Sequence, residues 1–312
     1  MRSSKLFLLV ALLVSTAFAQ SGAAFQQPSA SAPKSAPAAA TDGSSGVGAA
    51  EESEAALRFL VVGDTGTGDA DQYAVAKQML AEHDRSPYGL VVHVGDIIYG
   101  KGFSEIKRVF DDPYKPLIER DVKFRATLGN HDQDNPRELS SYKLLGMEGK
   151  LNYSFKPAGD LVEFFTFDST LVTKGQGAGQ LEWLDKELGD SKARWKVVFF
   201  HHPPYSTGKR HGDDIKLIAL VVPILKKHGV RVVFTGHEHF FARLKPIDGI
   251  NYIISGSGGK IHRGGLQYDG RLIYGNDQVH HFMSATLTRD KLEYRVIGSA
   301  GETLFRESIP FE

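Results

Sequence analysis

Five short polar clusters recur along this chain, and four of them come directly after an apolar run with the composition of a buried strand. They are Gly63–Gly66 (GDTG), Gly95–Tyr99 (GDIIY), Gly129–Asp132 (GNHD), Val198–His201 (VFFH) and Gly236–His239 (GHEH). Open α/β sheets carry their sites beyond the carboxyl ends of the strands. The clusters therefore predict an α/β fold whose strand ends converge on one site.

Hydrophobic periodicity predicts alternating strands and helices around these clusters. The predicted strands are 57–62, 90–94, 122–128, 197–200 and 230–234, with two peripheral strands at 151–155 and 162–167. The predicted helices are 72–82, 180–188 and 215–227. Pro223 lies inside the last of these and predicts a kink or a new turn there.

The clusters supply a mixed set of donor groups: two carboxylates, a phenol, an amide oxygen and three imidazoles. They belong to Asp64, Asp96, Tyr99, Asn130, His201, His237 and His239. This mixture of oxygen and nitrogen donors suits first-row transition metals better than Ca²⁺ or Mg²⁺. Seven groups exceed one tetrahedral site, and with one carboxylate bridging they give about four ligands to each of two ions. We expect a binuclear metal centre.

Charge and cysteine content narrow the class of protein. The 312 residues include 37 basic and 37 acidic side chains, so the basic footprint of a nucleic-acid binder is missing. No cysteine is present, and stability must come from the core and from bound metal rather than from disulfides. We expect a small-molecule substrate at the metals, and no nucleic acid as a partner.

The amino-terminal region has the composition of an export signal followed by a linker. Two cations precede an apolar run from Leu6 to Ala19, which ends in small residues and is shorter than the roughly 20 residues that a membrane-spanning helix needs. Residues 20–55 are rich in Ala, Ser and Pro. We predict a signal peptide over 1–19, a flexible linker over 20–55 and a single folded domain over 56–312. The protein would be secreted or periplasmic, with no membrane contact after signal removal.

The five motifs together resemble the set found in purple acid phosphatases, within the calcineurin-like metallophosphoesterases. Three further segments are similar to the small, mammalian-type branch: Asp111–Pro113, Gln180–Leu184 and Pro223–Leu225. The resemblance implies a four-layer α/β/β/α sandwich, with the metals at one edge. It also implies that the protein is an acid phosphatase, a hydrolase of phosphate monoesters.

The resemblance further assigns a role to each site residue. Asp64, Tyr99 and His239 would hold Fe(III), Asp96 would bridge, and a divalent Fe, Zn or Mn would be held by Asn130, His201 and His237. His131 and His211 resemble the family's substrate-facing catalytic histidines. Tyr99 discriminates the purple class, because related phosphatases and cyclic-nucleotide esterases usually lack tyrosine at this position.

Two alternatives stay open at this point. A phosphodiesterase or nucleotidase would use the same metals, whereas a phosphate- or metal-binding protein without activity would not need His131 and His211. We interpret His202 as local structure and Gly256–Lys260 as a glycine-rich turn. Only residues 169–179 stand where the mammalian-type enzymes carry a long loop over the site, so we expect an open site.

Overall fold

The structure is a computed structural model that describes residues 56–100 and 102–311. The predicted signal peptide and linker lie outside the described residues. The strands are β1 (Leu57–Val62), β2 (Leu90–His93), β3 (Lys123–Ala126), β4 (Tyr153–Phe155), β5 (Val162–Thr166), β6 (Trp195–Phe199), β7 (Val232–Thr235), β8 (Phe241–Leu244), β9 (Asn251–Ser255), β10 (Leu272–Asn276), β11 (His281–Leu287), β12 (Lys291–Gly298) and β13 (Thr303–Pro310). The helices are α1 (Ala70–Arg85), α2 (Asp112–Ile118), α3 (Pro136–Ser141), α4 (Ser169–Thr173), α5 (Ala178–Asp190), α6 (Ile215–Leu220) and α7 (Val222–Lys227).

The strands form two mixed sheets. The first has the order β13-β12-β11-β1-β2-β3, and the second has the order β10-β8-β9-β7-β6-β5-β4. Neighbouring strands are parallel at one side of the first sheet, among β1, β2 and β3, and in the middle of the second sheet, among β5, β6, β7 and β9. Their carboxyl ends therefore lie along one edge of each sheet.

Side-chain alternation in the second sheet explains how the layers stack. Along β5, Phe164 packs in the core between the sheets, where its ring lies 5.3 Å from that of Phe59 on β1. The next residue, Phe165, points to the opposite face and packs with Leu184 of α5 and Leu225 of α7. A strand buried on both faces reads as a continuous apolar run. With α1 and α2 covering the first sheet, the layers are helix, sheet, sheet, helix, which confirms the predicted α/β/β/α sandwich.

Most predicted elements are present, with differences at their ends. The helix predicted over 72–82 begins earlier, because Asp69 accepts hydrogen bonds from two backbone N–H groups of its first turn. The helix predicted over 215–227 divides at Val221, just before Pro223. Three short helices were not predicted: α2 with the helical turns that lead into it, α3, and α4 within the supposed loop of residues 169–179. The strand β8 was not predicted either.

Candidate metal centre

One cluster of donor atoms lies beyond β1, β2 and β7. The Tyr99 hydroxyl is 3.2 Å from Oδ1 of Asp64 and 3.1 Å from Nε2 of His239. The same Nε2 lies 3.5 Å from Oδ1 of Asp64. A carboxylate, a phenol and an imidazole thus meet with their ligand atoms together.

A second cluster lies beside it, beyond β3, β6 and β7. Oδ1 of Asn130 is 3.1 Å from Nε2 of His201 and 2.9 Å from Nδ1 of His237. The two ring nitrogens are 3.3 Å apart. Nδ1 of His201 lies 2.9 Å from the carbonyl oxygen of Val94, to which it donates, so its Nε2 keeps a free lone pair for a metal.

Asp96 stands between the two clusters. Its Oδ1 accepts the backbone N–H of His131 at 3.0 Å and lies 3.4 Å from Nε2 of His201. Its Oδ2 is buried and has no hydrogen-bond partner. A buried carboxylate oxygen without a partner is costly, and a bridging position between two cations would satisfy it.

The electrostatics of the protein alone also fit a cationic occupant. Burial, together with the charge of Asp96, raises the pKa of Asp64 well above its usual range. Burial and both carboxylates likewise raise the pKa of Tyr99. Among the described residues, no Lys or Arg forms an ion pair with Asp64 or Asp96. These buried acids gain their compensating charge only from histidines or from bound metal, and the donor set fits two metal ions.

The backbone is bent sharply at three of these residues. Asp64, Asp96 and His237 have φ of 56°, 54° and 67°, in the left-handed region that costs a non-glycine residue of the order of 1 kcal/mol or more. The motif glycines serve another purpose, because they let the backbone lie close to the carboxylate groups of the ligands. A Cβ at Gly129 would stand 2.1 Å from Oδ1 of Asp96, and one at Gly236 would stand 2.4 Å from Oδ2 of Asp64.

Comparison with known proteins agrees with this architecture. The model of the calcineurin-like phosphoesterase family matches residues 57–241. The chain belongs to this family. It is 30% identical to purple acid phosphatase 17 of Arabidopsis thaliana, over 82% of this chain and 85% of that one. It is 23% identical to the tartrate-resistant acid phosphatase type 5 of Mus musculus, over 81% of this chain and 90% of the relative.

Among solved structures, the fold is similar to that of GAP50, an anchor in the inner membrane complex of Plasmodium. The TM-score is 0.72 at 19% identity, over 83% of this chain and 90% of that one. The calcineurin-like phosphoesterase fold, the purple acid phosphatase relatives and the two ligand clusters make the protein a phosphatase of the hydrolase class with a binuclear metal centre.

A third carboxylate holds the loops of the phosphoesterase centre in register. Asp132 is buried and accepts backbone N–H groups from Gly129, Ile97 and Ile98 at 2.8–3.2 Å. It ties the loop after β3 to the loop after β2, which carries Asp96. Burial raises the pKa of Asp132 to about 7 in the protein without metal, with the charge of Asp96 as a second cause.

The two histidines proposed to face the substrate lie on opposite sides of the centre. The ring of His131 lies 4.7 Å from that of Tyr99. The ring of His211 stacks 4.3 Å from that of His237, and its Nδ1 is 3.4 Å from Oε2 of Glu238. Glu238 is buried between the two histidines of the GHEH motif. A glutamate between two ligand histidines was a signal for a functional residue, and the sequence analysis did not use it.

Two further residues lie at the centre although we assigned them no role from the sequence. A ring nitrogen of His202 lies within 4.8 Å of ligand atoms of His201 and His237. The turn Gly256–Lys260 is a turn as predicted, but the N–H groups of Gly259 and Lys260 donate to the carbonyl of Asp64. The Lys260 ammonium group lies 4.4 Å from the ring centroid of Tyr99. The pair of adjacent histidines at 201–202 was the sequence signal that could have placed His202 at the centre.

Proposed function

We propose that this phosphatase is a secreted enzyme that hydrolyses small phosphate monoesters with Fe(III) and a divalent ion. The observation that carries the proposal is the position of Tyr99, whose hydroxyl lies at the ligand atoms of Asp64 and His239. A phenol oxygen in this place favours a hard trivalent ion in that cluster. Asn130, His201 and His237 would hold the divalent ion, and Asp96 would bridge.

Charge supports a monoester rather than a diester. A trivalent and a divalent ion against two carboxylates and a phenolate leave a formal surplus of about two positive charges, or about one when a hydroxide is counted. A positive surplus in either case favours the dianion of a phosphate monoester over the monoanion of a diester. Lys260, exposed above the ring of Tyr99, adds a further cation at the rim.

The residues of the chain have distinct tasks in the proposed reaction. When bound, the two ions act as Lewis acids that lower the pKa of a water molecule and accept charge from the phosphate oxygens. His131, fixed through its N–H to Asp96, stabilises the charge that develops on phosphorus-bound oxygen. His211, beside Glu238, gives a proton to the departing alcohol oxygen.

Secretion rests on the sequence of residues 1–19. None of the helices over 56–100 and 102–311 is long and apolar enough to cross a bilayer. Detection of the mature chain outside the cytoplasm, cut near residue 19, is the expected result. Retention of the uncut chain inside the cell would contradict it.

The activity is tested on purified protein loaded with iron. We expect close to two transition-metal ions per chain, a visible phenolate-to-iron absorption band, and a higher kcat/KM for monoesters than for matched diesters. A protein that is fully active with one ion would contradict the binuclear proposal. A preference for diesters would favour the phosphodiesterase alternative, and metal binding without turnover of any ester would favour the binding protein.

A further inference from the structure

A cavity of about 300 Å³ opens beside the second ligand cluster. Three imidazoles form one wall: His237, His202 and His211, with both other rings centred 4.3 Å from that of His237. Thr173 at the end of α4 and Ile215 at the start of α6 also line it. The cavity thus meets the second ligand cluster at His237, and the rest of its lining belongs to neither cluster.

His202 is held in this wall by Ser169. The Ser169 hydroxyl oxygen accepts the backbone N–H of His202 at 3.0 Å and lies 2.9 Å from Nδ1 of the same residue. Ser169 is fully buried, and a buried hydroxyl group uses its own proton in a hydrogen bond. The Ser169 hydroxyl group therefore donates a hydrogen bond to Nδ1 of His202, which acts as the acceptor. The imidazole then carries its hydrogen on Nε2, away from Ser169.

The other polar groups around the cavity are already engaged. Asp213 binds Arg271 at 2.8 Å and the N–H of Ser206 at 2.9 Å. Asp214 accepts two N–H groups of the first turn of α6. Lys216 donates from Nζ to the carbonyl of Thr173 at 2.6 Å. This leaves the Nε2–H of His202, with the His211 ring, to meet a polar occupant.

Ile215 adds an apolar surface to the lining of the cavity, and it is 71% exposed. An occupant with a short carbon backbone would cover it, while oxygen atoms of that occupant would face the imidazoles. A cavity of this volume accommodates a small polyol.

We propose that this cavity binds the alcohol portion of the ester and that His202 positions it as a hydrogen-bond donor. The favoured substrates are phosphate monoesters of small alcohols that carry a hydroxyl or carbonyl oxygen near the ester bond. The inference rests on the proposed function, because it names the substrate class of the same centre. It assigns to His202 a contact with substrate rather than with metal.

The test compares glycerol 1-phosphate with propyl phosphate, which differ only in the hydroxyl groups of the alcohol. His202→Phe keeps a ring of similar shape and removes the donor. We expect kcat/KM for glycerol 1-phosphate to fall roughly 3- to 10-fold, mainly through KM, and that for propyl phosphate to change little. His202→Gln, which again presents an N–H, should restore much of the preference for glycerol 1-phosphate.

Two measurements separate substrate positioning from other roles of His202. Metal content and competitive inhibition by inorganic phosphate should equal those of the wild type, because the proposed contact is with the alcohol and not with the phosphate group. Loss of an ion from the variant would indicate that His202 is a metal ligand. Weaker inhibition by phosphate would indicate that His202 contacts the phosphate group. Either result would overturn the proposal. Ser169→Ala should reproduce part of the loss on glycerol 1-phosphate.

The wild-type protein distinguishes failure of this inference from failure of the proposed function. If the wild type hydrolyses neither ester, the proposed monoesterase function is wrong, and this inference falls with it. If the wild type is active and His202→Phe loses both esters equally, or neither, only the role of His202 is wrong.

Discussion

At the scale of single residues, Tyr99 is the position at which the proposed metal identity can be tested. Its hydroxyl lies at hydrogen-bond distance from Asp64 and His239, while its ring contacts His131 and Lys260. Changing the oxygen alone therefore separates metal binding from packing, because the ring contacts persist in phenylalanine.

Tyr99→Phe should abolish the visible band of the iron-loaded protein and weaken iron affinity, while leaving the fold intact. The reason is that the band requires a phenolate bound to Fe(III), whereas the ring itself still fills its place. The measurements are an absorption spectrum, iron titration and circular dichroism. Tyr142→Phe, remote from the ligand clusters and paired with Asp111, is the matched control. Persistence of the band in Tyr99→Phe would show that its source lies elsewhere.

His211 lies on an exposed loop, where its proposed role as general acid can be tested by substitution. If it protonates the departing alcohol, His211→Ala should reduce turnover of an alkyl phosphate by the 10²- to 10⁴-fold that general acid catalysis typically contributes. An activated aryl phosphate, whose phenolate leaves unaided, should lose far less. Values of kcat/KM for both esters, with metal analysis alongside, decide the matter. Equal losses on the two esters would indicate substrate binding instead.

At the scale of elements, the site depends on how the loops after β2 and β3 are joined. Asp132 makes that connection through three backbone N–H groups, and both of its oxygens take part. An asparagine side chain would offer only one acceptor oxygen. Its NH₂ group would face a backbone N–H group that had been bonded to the second carboxylate oxygen. The loops that carry Asp96 and Asn130 would then separate.

We therefore expect Asp132→Asn to weaken metal affinity roughly 10- to 100-fold, as changes to groups that orient metal ligands commonly do. Stability should fall by about 1–3 kcal/mol, because a buried N–H loses its acceptor. Metal titration and denaturant unfolding measure the two effects. Asp134→Asn, two residues on and exposed, is the control. Unchanged metal affinity in Asp132→Asn would mean that the loops hold their register without this carboxylate.

The sequence predicted the elements whose pattern is local and missed those set by their neighbours. The strand β1 was predicted with its observed ends, because an apolar run bounded by glycine is self-contained. The helix α2 was missed, since Pro113 and Pro116 count against a helix when tertiary packing is not considered. The role of His202 was missed for a similar reason. Its partner Ser169 is 33 residues away, and only the pairing of β5 with β6 brings them together.

At the scale of the whole molecule, one buried histidine outside the two ligand clusters affects stability in acid. His281, at the start of β11, is fully buried, its Nε2 has no partner, and burial lowers its pKa to about 3 from the usual 6.5. Between these values the unfolded chain binds a proton that the folded chain does not. The free energy of unfolding therefore decreases as the pH falls below about 6.5, so the folded protein is less stable in acid.

His281→Phe removes this linkage and keeps a ring beside Phe241, whose ring lies 5.4 Å away. Relative to the wild type, the variant should gain about 2 kcal/mol of unfolding free energy between pH 7.5 and pH 5. Denaturant unfolding at the two pH values measures it, with His262→Phe as an exposed control. A difference between variant and wild type that does not change with pH would show that the pKa of His281 is the same in the folded and the unfolded chain, and would contradict this prediction.

The metal ions should also contribute to the stability of the whole domain, because the chain has no cysteine and places two acids in a buried centre. Removing the metals leaves Asp64 and Asp96 facing each other, with Asp64, Asp96 and His237 still held at positive φ. Ligands bound a thousandfold above their dissociation constant stabilise by about 4 kcal/mol. Chelation should therefore lower Tm by on the order of 10 °C, and re-addition of metal should restore it. Thiol reductant should have no such effect while the metal is retained. If Tm were unchanged once metal analysis showed the ions gone, the centre would contribute to catalysis alone, and the strain at these three residues would be balanced by the protein's own packing.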